Sequence, residues 1–307
     1  MLLSRGDDVV GIDNLNDSYD VRIKGYRLNQ LKARAGEGQF TFERGDIENI
    51  KTVNELFDRH HFDGVLNLAA RAGVRYSLEN PHVYLTTNAH GTLNLLEAMR
   101  QHGVKKKVLA STSSIYSGHA APWEESMPVN TPLSPYAASK KAAEAMCHSY
   151  HYLFGLDVSV VRYFTVYGPC GRPDMALFKF IHKIDRGLPI QVYGDGSQTR
   201  DFTFVDDIAR GTLAALKEVG YEVINIGAGA TPVTLTRFLQ LIEDGLGKKA
   251  VVEQEAFHPS DLKLTSANTA KAKRLLGWEP TVSIEEGILK TIAWHRENKD
   301  LLDDLQV

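Results

Sequence analysis

Short apolar runs alternate with amphipathic runs over the first half of the chain, and that alternation limits the available folds more than any single motif. Residues 9–13, 40–44, 64–68, 107–112 and 157–163 read as strands: short, rich in β-branched and aromatic side chains, and bounded by polar turns. Residues 21–35, 52–60, 81–102 and 136–154 read as helices. Strand and helix in repeated order predict an α/β fold, a doubly wound parallel sheet joined by right-handed crossovers. Such sheets hold their ligands in the loops at the carboxyl ends of the strands.

After residue 163 the pattern loosens. Glycine and proline recur in Tyr167-Gly168-Pro169-Cys170-Gly171-Arg172-Pro173, and a helix, short strands and three further helical segments follow. The chain therefore divides into a nucleotide-binding domain over 1–163 and a smaller lobe over 164–307, partly interleaved with the sheet. A length of 307 residues with 43% hydrophobic and 24% charged side chains suits that arrangement. The formal net charge of −3 argues against a surface built for nucleic acid or anionic membrane. Cys147 and Cys170 are too few for a disulfide framework, and neither has a Cys or His at metal-ligand spacing. No run approaches 18 apolar residues and the start has no signal-peptide form, so the expectation is a cytoplasmic protein without a metal.

Thr112, Tyr136 and Lys140 carry the chemistry. Thr112 ends a predicted strand, and Tyr136 and Lys140 are four apart on one helix face. An ammonium one turn from a phenol favours the phenolate, so Lys140 is expected to lower the pKa of Tyr136. Such a tyrosine can take a proton from a sugar hydroxyl while a hydride leaves the same carbon. A Tyr-x-x-x-Lys pair alone is weak; this one is unique in the chain and follows a strand ending in Thr.

Hydride transfer needs a nicotinamide cofactor, whose pyrophosphate normally rests on a G-x-x-G-x-x-G turn between the first strand and first helix. Here no such turn precedes Asp13. The opening residues read as a helix tail, a turn and then the second strand of such a domain, so the first strand and most of the first helix are expected to be missing. Asp13 stands where a carboxylate would accept from the adenosine ribose. Asp46 and Ile47 follow the next strand, with Asp46 placed to cap the adenine amine. Leu68, Ala69 and Ala70 follow the third, where small residues admit a cofactor closely.

An ordered series of motifs then brings a family into view. It runs through Ile12-Asp13-Asn14-Leu15, Ala69-Ala70-Arg71-Ala72-Gly73-Val74-Arg75-Tyr76-Ser77, Asn88-Ala89-His90-Gly91-Thr92 and Ser134-Pro135-Tyr136-Ala137-Ala138-Ser139-Lys140. It continues in Arg162-Tyr163-Phe164-Thr165-Val166-Tyr167-Gly168-Pro169, Arg172-Pro173-Asp174-Met175-Ala176 and Arg200-Asp201-Phe202. Over essentially its whole length the chain resembles the extended short-chain dehydrogenase/reductase nucleotide-sugar epimerases and dehydratases, and UDP-glucuronate 4-epimerases above all. The resemblance implies a Rossmann-type sheet with a small C-terminal UDP-sugar-binding lobe, bound NAD, and a role in polysaccharide biosynthesis. It implies a homodimer formed through helices 81–102 and 136–154, although Leu93, Leu96, Ala142 and Met146 would equally pack inward.

The implied mechanism is transient oxidation at C4. Tyr136 takes the hydroxyl proton, Thr112 orients that hydrogen bond, and Lys140 also holds the nicotinamide ribose, with Asn88 supporting that side. The 4-keto sugar turns over and is reduced on its other face. Thr165 and Arg172 would engage the sugar carboxylate, a guanidinium fork matching both of its oxygens. Arg200 would pair with the diphosphate and Asp261 would lie near the UDP ribose. Related dehydratases and decarboxylases carry an acidic side chain between the Thr and the next Tyr; here Thr112-Ser113-Ser114-Ile115-Tyr116 has none.

Three positions depart from the family pattern: an extra Ser117 before Gly118, Asn67 where His is common, and Asn268 in place of an Asp. None belongs to the triad. Two alternatives stand beside the sugar-acid epimerase: a 4-epimerase of a neutral UDP-hexose, and a truncated nucleotide-sugar binding protein that lacks its cofactor loop and activity.

Overall fold

The computed structural model describes residues 1–34, 38–229, 232–257 and 262–305. In the first half, β1 (Val9–Asp13), α1 (Val21–Ala33), β2 (Phe40–Arg44), α2 (Ile50–Arg59) and β3 (Gly64–Asn67) follow in alternation. Then come α3 (Val74–Glu79), α4 (Pro81–Tyr84), α5 (Gly91–Gln101), β4 (Lys106–Thr112), α6 (Pro135–Phe154) and β5 (Asp157–Tyr163). All five expected strands form, with ends within one residue of those read from the sequence. The expected 81–102 helix is interrupted: Leu85–His90 makes a wide π turn between α4 and α5. Such turns insert an extra residue into a helix and often sit at functional sites. Helix α3 was not expected.

The second half runs β6 (Thr165–Tyr167), α7 (Ala176–Asp185), β7 (Ile190–Tyr193), β8 (Thr199–Arg200), β9 (Phe202–Phe204), α8 (Val205–Ala214) and β10 (Tyr221–Ile226). It ends with β11 (Val233–Thr234), α9 (Leu235–Leu246), β12 (Val252–Glu255), α10 (Ala270–Leu276), α11 (Ile284–Glu297) and α12 (Lys299–Leu302).

The parallel sheet lies in two pieces. β1 pairs with β2, from Val9 against Phe40 to Asp13 against Arg44. β3, β4, β5 and β10 form a four-stranded sheet in the order β10-β5-β4-β3. Strand β10 enters from the second half of the chain and pairs in parallel with β5, Tyr221 against Val158 through Ile226 against Tyr163. That is the interleaving of the two lobes. β4 is buried along its whole length, as a strand covered on both faces must be.

Apolar side chains fill three main regions. Leu96, Met99, Leu109, Cys147 and Val160 lie between the sheet and helices α2, α5 and α6. Val108, Val161, Ile224, Ile226 and Trp278 fill the opposite face. Tyr167, Phe204, Phe238, Ile242 and Ile288 build a separate core under α7, α9 and α11. Among the described residues no helix is long and apolar enough to cross a membrane.

Candidate active site

Strand β4 and helix α6 bring the three residues chosen by spacing to one place. Ser134 caps α6 by accepting from the Ala137 N–H, and Pro135 occupies the first helical position, where no N–H is needed. The cap sets Tyr136 in the first turn and Lys140 one turn on. Thr112 ends β4, and its hydroxyl accepts from the Ser114 N–H at 3.1 Å. A hydrogen-bonding contact links Thr112 to the Tyr136 phenol. Lys140 is buried and donates to the Ala110 carbonyl at 2.8 Å.

The electrostatics correct one expectation. Burial raises the Tyr136 pKa, and the groups opposing it are Thr112 and the Arg172 guanidinium. The expected lowering by Lys140 is not what the protein alone provides, because that ammonium is turned to a backbone carbonyl. Burial also brings Lys140 down to about 8, with Glu144 acting in the other direction. A buried cation facing a carbonyl is costly to keep charged, and a buried phenolate is costlier still without a cation in contact.

Arg172 reaches the same place from the second lobe. Its Nε donates to Asp174 Oδ1 at 3.0 Å and its Nη2 to Oδ2 at 2.6 Å, and the guanidinium lies 5.5 Å from the Tyr19 ring centroid. Burial works against its charge, but Asp174 outweighs it and the pKa rises. The Tyr84 ring meets Tyr136 edge-on at 5.9 Å. Tyr84, Tyr19 and Arg172 thus gather with the triad. Thr165 stands on β6, its N–H donating to the Asp201 carbonyl, and Arg200 on β8 donates to the Thr199 carbonyl at 2.9 Å. The Asp201 carboxylate knits these segments by accepting from the N–H groups of Ala228, Gly229 and Ala267. Asp261 lies outside the described residues.

The proposed cofactor residues behave unequally. Asp13 ends β1 with its side chain 51% exposed, accepting from Leu15 N–H at 2.6 Å and facing Lys24 Nζ at 3.5 Å. Asp46 is tied to β1 by accepting from Asn14 Nδ2 at 2.7 Å, and it accepts again from Glu48 N–H. Ile47 turns its side chain inward: it is 4% exposed in the core and packs against Gly91, while its carbonyl accepts from Asn94. An apolar residue next to a loop aspartate is drawn inward by the hydrophobic effect, which leaves its backbone as the part nearest the loop. Leu68 and Ala69 are exposed at the carboxyl end of β3, and Ala70 half-exposed. Asn88, in the π turn, donates to the Arg71 carbonyl at 3.0 Å and to Ser139 Oγ at 2.9 Å, and accepts from Arg71 N–H. With both donors used, it braces the loop after β3 against α6.

Sequence reasoning missed Tyr84, Tyr19, Ser139 and Glu144. For Glu144 a signal existed, since 136, 140 and 144 form one helical stripe. Tyr84 had none, because the π turn that places it leaves no periodic mark. Among the described residues no group of three or more His, Cys, Asp or Glu could hold a metal ion. Cys147 and Cys170 are free thiols.

A Rossmann-type sheet with a Thr, Tyr and Lys at the carboxyl end of its central strand defines a class. The chain belongs to the NAD dependent epimerase/dehydratase family, which its residues 1–227 match. It is 54% identical over 306 residues to a UDP-glucuronate 4-epimerase of Thermodesulfobacterium geofontis, covering 100% of this chain and 94% of that protein. Among solved structures it is similar to the UDP-glucuronic acid 4-epimerase of Bacillus cereus in complex with UDP-glucuronic acid and NAD. That match has a TM-score of 0.86 and 36% identity over 94% of this chain and 91% of that one. It is also similar to a dTDP-glucose 4,6-dehydratase of Streptomyces venezuelae with NAD bound, at TM-score 0.88, 29% identity and coverage of 98% and 91%. An epimerase and a dehydratase fit the fold equally, so the chemistry has to be read from side chains.

Proposed function

We propose that this chain is a UDP-glucuronate 4-epimerase, interconverting UDP-glucuronate and UDP-galacturonate through a 4-keto sugar. The observation that carries the reading is a guanidinium fork already matched to a carboxylate, Arg172 on Asp174, whose charge acts on the Tyr136 phenol. A sugar whose C4 hydroxyl meets Tyr136 would bring its C5 carboxylate to that fork. The run Ser113, Ser114 and Ile115 after Thr112 offers no carboxyl group for the acid–base step of an elimination.

The residues fit a bound NAD at its two ends. Asp13 has an exposed carboxylate at the end of β1 for the adenosine ribose. Lys140 would hold the nicotinamide ribose, and Asn67 Oδ1, buried and unpartnered at the end of β3, is an acceptor left for a ligand donor. Bound there, NAD+ would supply the hydride acceptor and donor for C4, with a positively charged ring that would favour the Tyr136 phenolate. Tyr136 takes the C4 hydroxyl proton and gives it back, Thr112 orients the hydroxyl, and Lys140 keeps a positive charge near both. Thr165 and Arg172 hold the carboxylate, with Arg200 and Asp261 toward the nucleotide. Residues 1–163 form the cofactor side and 164–307 mainly the UDP-sugar side.

A homodimer is part of the proposal, formed through residues 81–102 and α6. Leu85, Tyr152 and Leu153 are well exposed there, whereas Leu96 is fully buried. A cytoplasmic location agrees with two free thiols.

Incubation with UDP-glucuronate and NAD+, followed through the sugar H4 resonance, tests the activity. Galacturonate should appear. A folded protein that converts UDP-glucose faster would favour the neutral-hexose reading, and one that converts neither would leave a binding protein.

A further inference from the structure

Glu144 lies one turn beyond Lys140 on α6 and is 1% exposed. Arg162 of β5, 2% exposed, grips it with both arms: Nε to Oε1 at 2.9 Å and Nη2 to Oε2 at 2.7 Å. Ser111 of β4, the residue before Thr112, donates to Oε1 at 2.6 Å. One carboxylate therefore joins the helix that carries Tyr136 and Lys140 to the strand that carries Thr112, and joins both to β5. Burial opposes its charge, but Arg162 outweighs burial and the carboxyl stays below its ordinary range.

A buried ion pair is poor evidence for stability, since desolvation cancels much of its attraction. Its placement suggests another role. We propose that Glu144 is a positioning residue for the proposed epimerase, fixing Thr112 against Tyr136 and placing a buried negative charge one turn from Lys140. The inference rests on the epimerase reading for its consequence in catalysis, but its electrostatic half does not.

The charged and titratable groups around this carboxylate are few. Lys140 and Lys141 share its helix, with Cys147 just beyond; Arg162 comes from β5, Tyr221 from β10 and Tyr116 from the turn after β4. Lys141 Nζ approaches at 3.5 Å but is a third exposed. Tyr221 donates to the Glu144 carbonyl at 3.2 Å, and the Arg162 guanidinium lies 4.7 Å from the Tyr116 ring. Glu144 is the group that raises the Lys140 pKa against burial, so its removal would let the ammonium lose its proton at lower pH.

The test titrates Lys140 directly through its 13Cε resonance in lysine-labelled protein, assigned by its loss in Lys140→Arg. In Glu144→Gln the midpoint should fall by about half a pH unit or more, because Arg162 is then an uncompensated neighbouring cation. In the Glu144→Gln/Arg162→Met double variant it should fall less, and in Glu144→Asp the midpoint should return toward the parent. The alkaline limb of epimerisation against pH should move the same way, with KM for UDP-glucuronate little changed. An unmoved Lys140 midpoint, or failure of both neutral variants to fold, would overturn the proposal and leave the pair a purely structural tie. If the parent has no epimerase activity the function fails, while the titration still reports on Glu144.

Discussion

Tyr136 is a phenol held against its own ionisation. Burial raises its pKa, and its nearest help comes from Thr112 and Arg172. In the proposed mechanism a phenol so placed stays protonated until substrate and cofactor complete its surroundings, which ties proton removal to a filled site. Tyr136→Phe should lower kcat roughly a hundred- to ten-thousand-fold, the range for losing a general acid–base, with KM little moved. Steady-state kinetics checks it, and a loss under tenfold would assign the proton to another group. Arg172→Ala should raise KM for UDP-glucuronate about tenfold or more, the scale of a lost charge-assisted fork, and leave any activity on UDP-glucose nearly unaltered. Arg172→Lys should recover little, since a point charge cannot bridge two oxygens. Equal losses on both sugars would remove Arg172 from carboxylate recognition. Thr112, Tyr136 and Lys140 were legible because strand end and helix spacing fix them; the direction of the Tyr136 shift was not, because spacing cannot tell where an ammonium points.

At the scale of elements, α6 was readable almost to the residue: Ser134 and Pro135 start it and Gly155, at φ 67°, stops it. The π turn was not readable. It arises where tertiary partners compete with the helix: Asn88 bonds Arg71 and Ser139, and Gly91 lets α5 settle on Ile47. The same close approach explains why Ile47 joined the core. A Cβ at Gly91 would stand 2.6 Å from Ile47 Cδ1 and 2.7 Å from its Cγ1. Gly91→Ala should therefore destabilise the fold by about 1–3 kcal/mol, the usual range for overpacking, despite alanine's better helix propensity. Urea unfolding checks it: a midpoint equal to or above the parent's would mean that Ile47 can move aside without loss. Because Ile47 follows Asp46 and precedes α2, NAD affinity of the folded variant should weaken as well.

For the whole molecule, the alternating first half announced its sheet, whereas the second half did not announce its pieces. Strands as short as β8 and β11 have no period of their own and exist because Arg200 meets Val233 and Thr199 meets Thr234. What unites the second lobe with the chain's end is apolar packing of α7 on α11, and inside it sit two imidazoles. His182 and His295 are 5% and 2% exposed, with ring centroids 5.7 Å apart. Both nitrogens of His295 are buried and unpartnered, and His182 Nδ1 meets Arg186 at 3.2 Å. Burial first, and then Arg186 and, for His295, a charged His182, bring each imidazole down to about 4, although Asp185 acts in the opposite sense on both and Asp303 on His182. An unfolded histidine takes its proton near pH 6.5, and these two resist it until about 4. Between those values the unfolded chain binds more protons, so stability must fall as pH falls through that window and level off below it. The melting temperature should drop by several degrees between pH 7 and pH 5, and His295→Leu, which removes one of the resisting groups, should drop less over the same interval. Parallel pH dependence in parent and variant would show that acid weakens the fold elsewhere and that the imidazole pair merely fills space between α7 and α11.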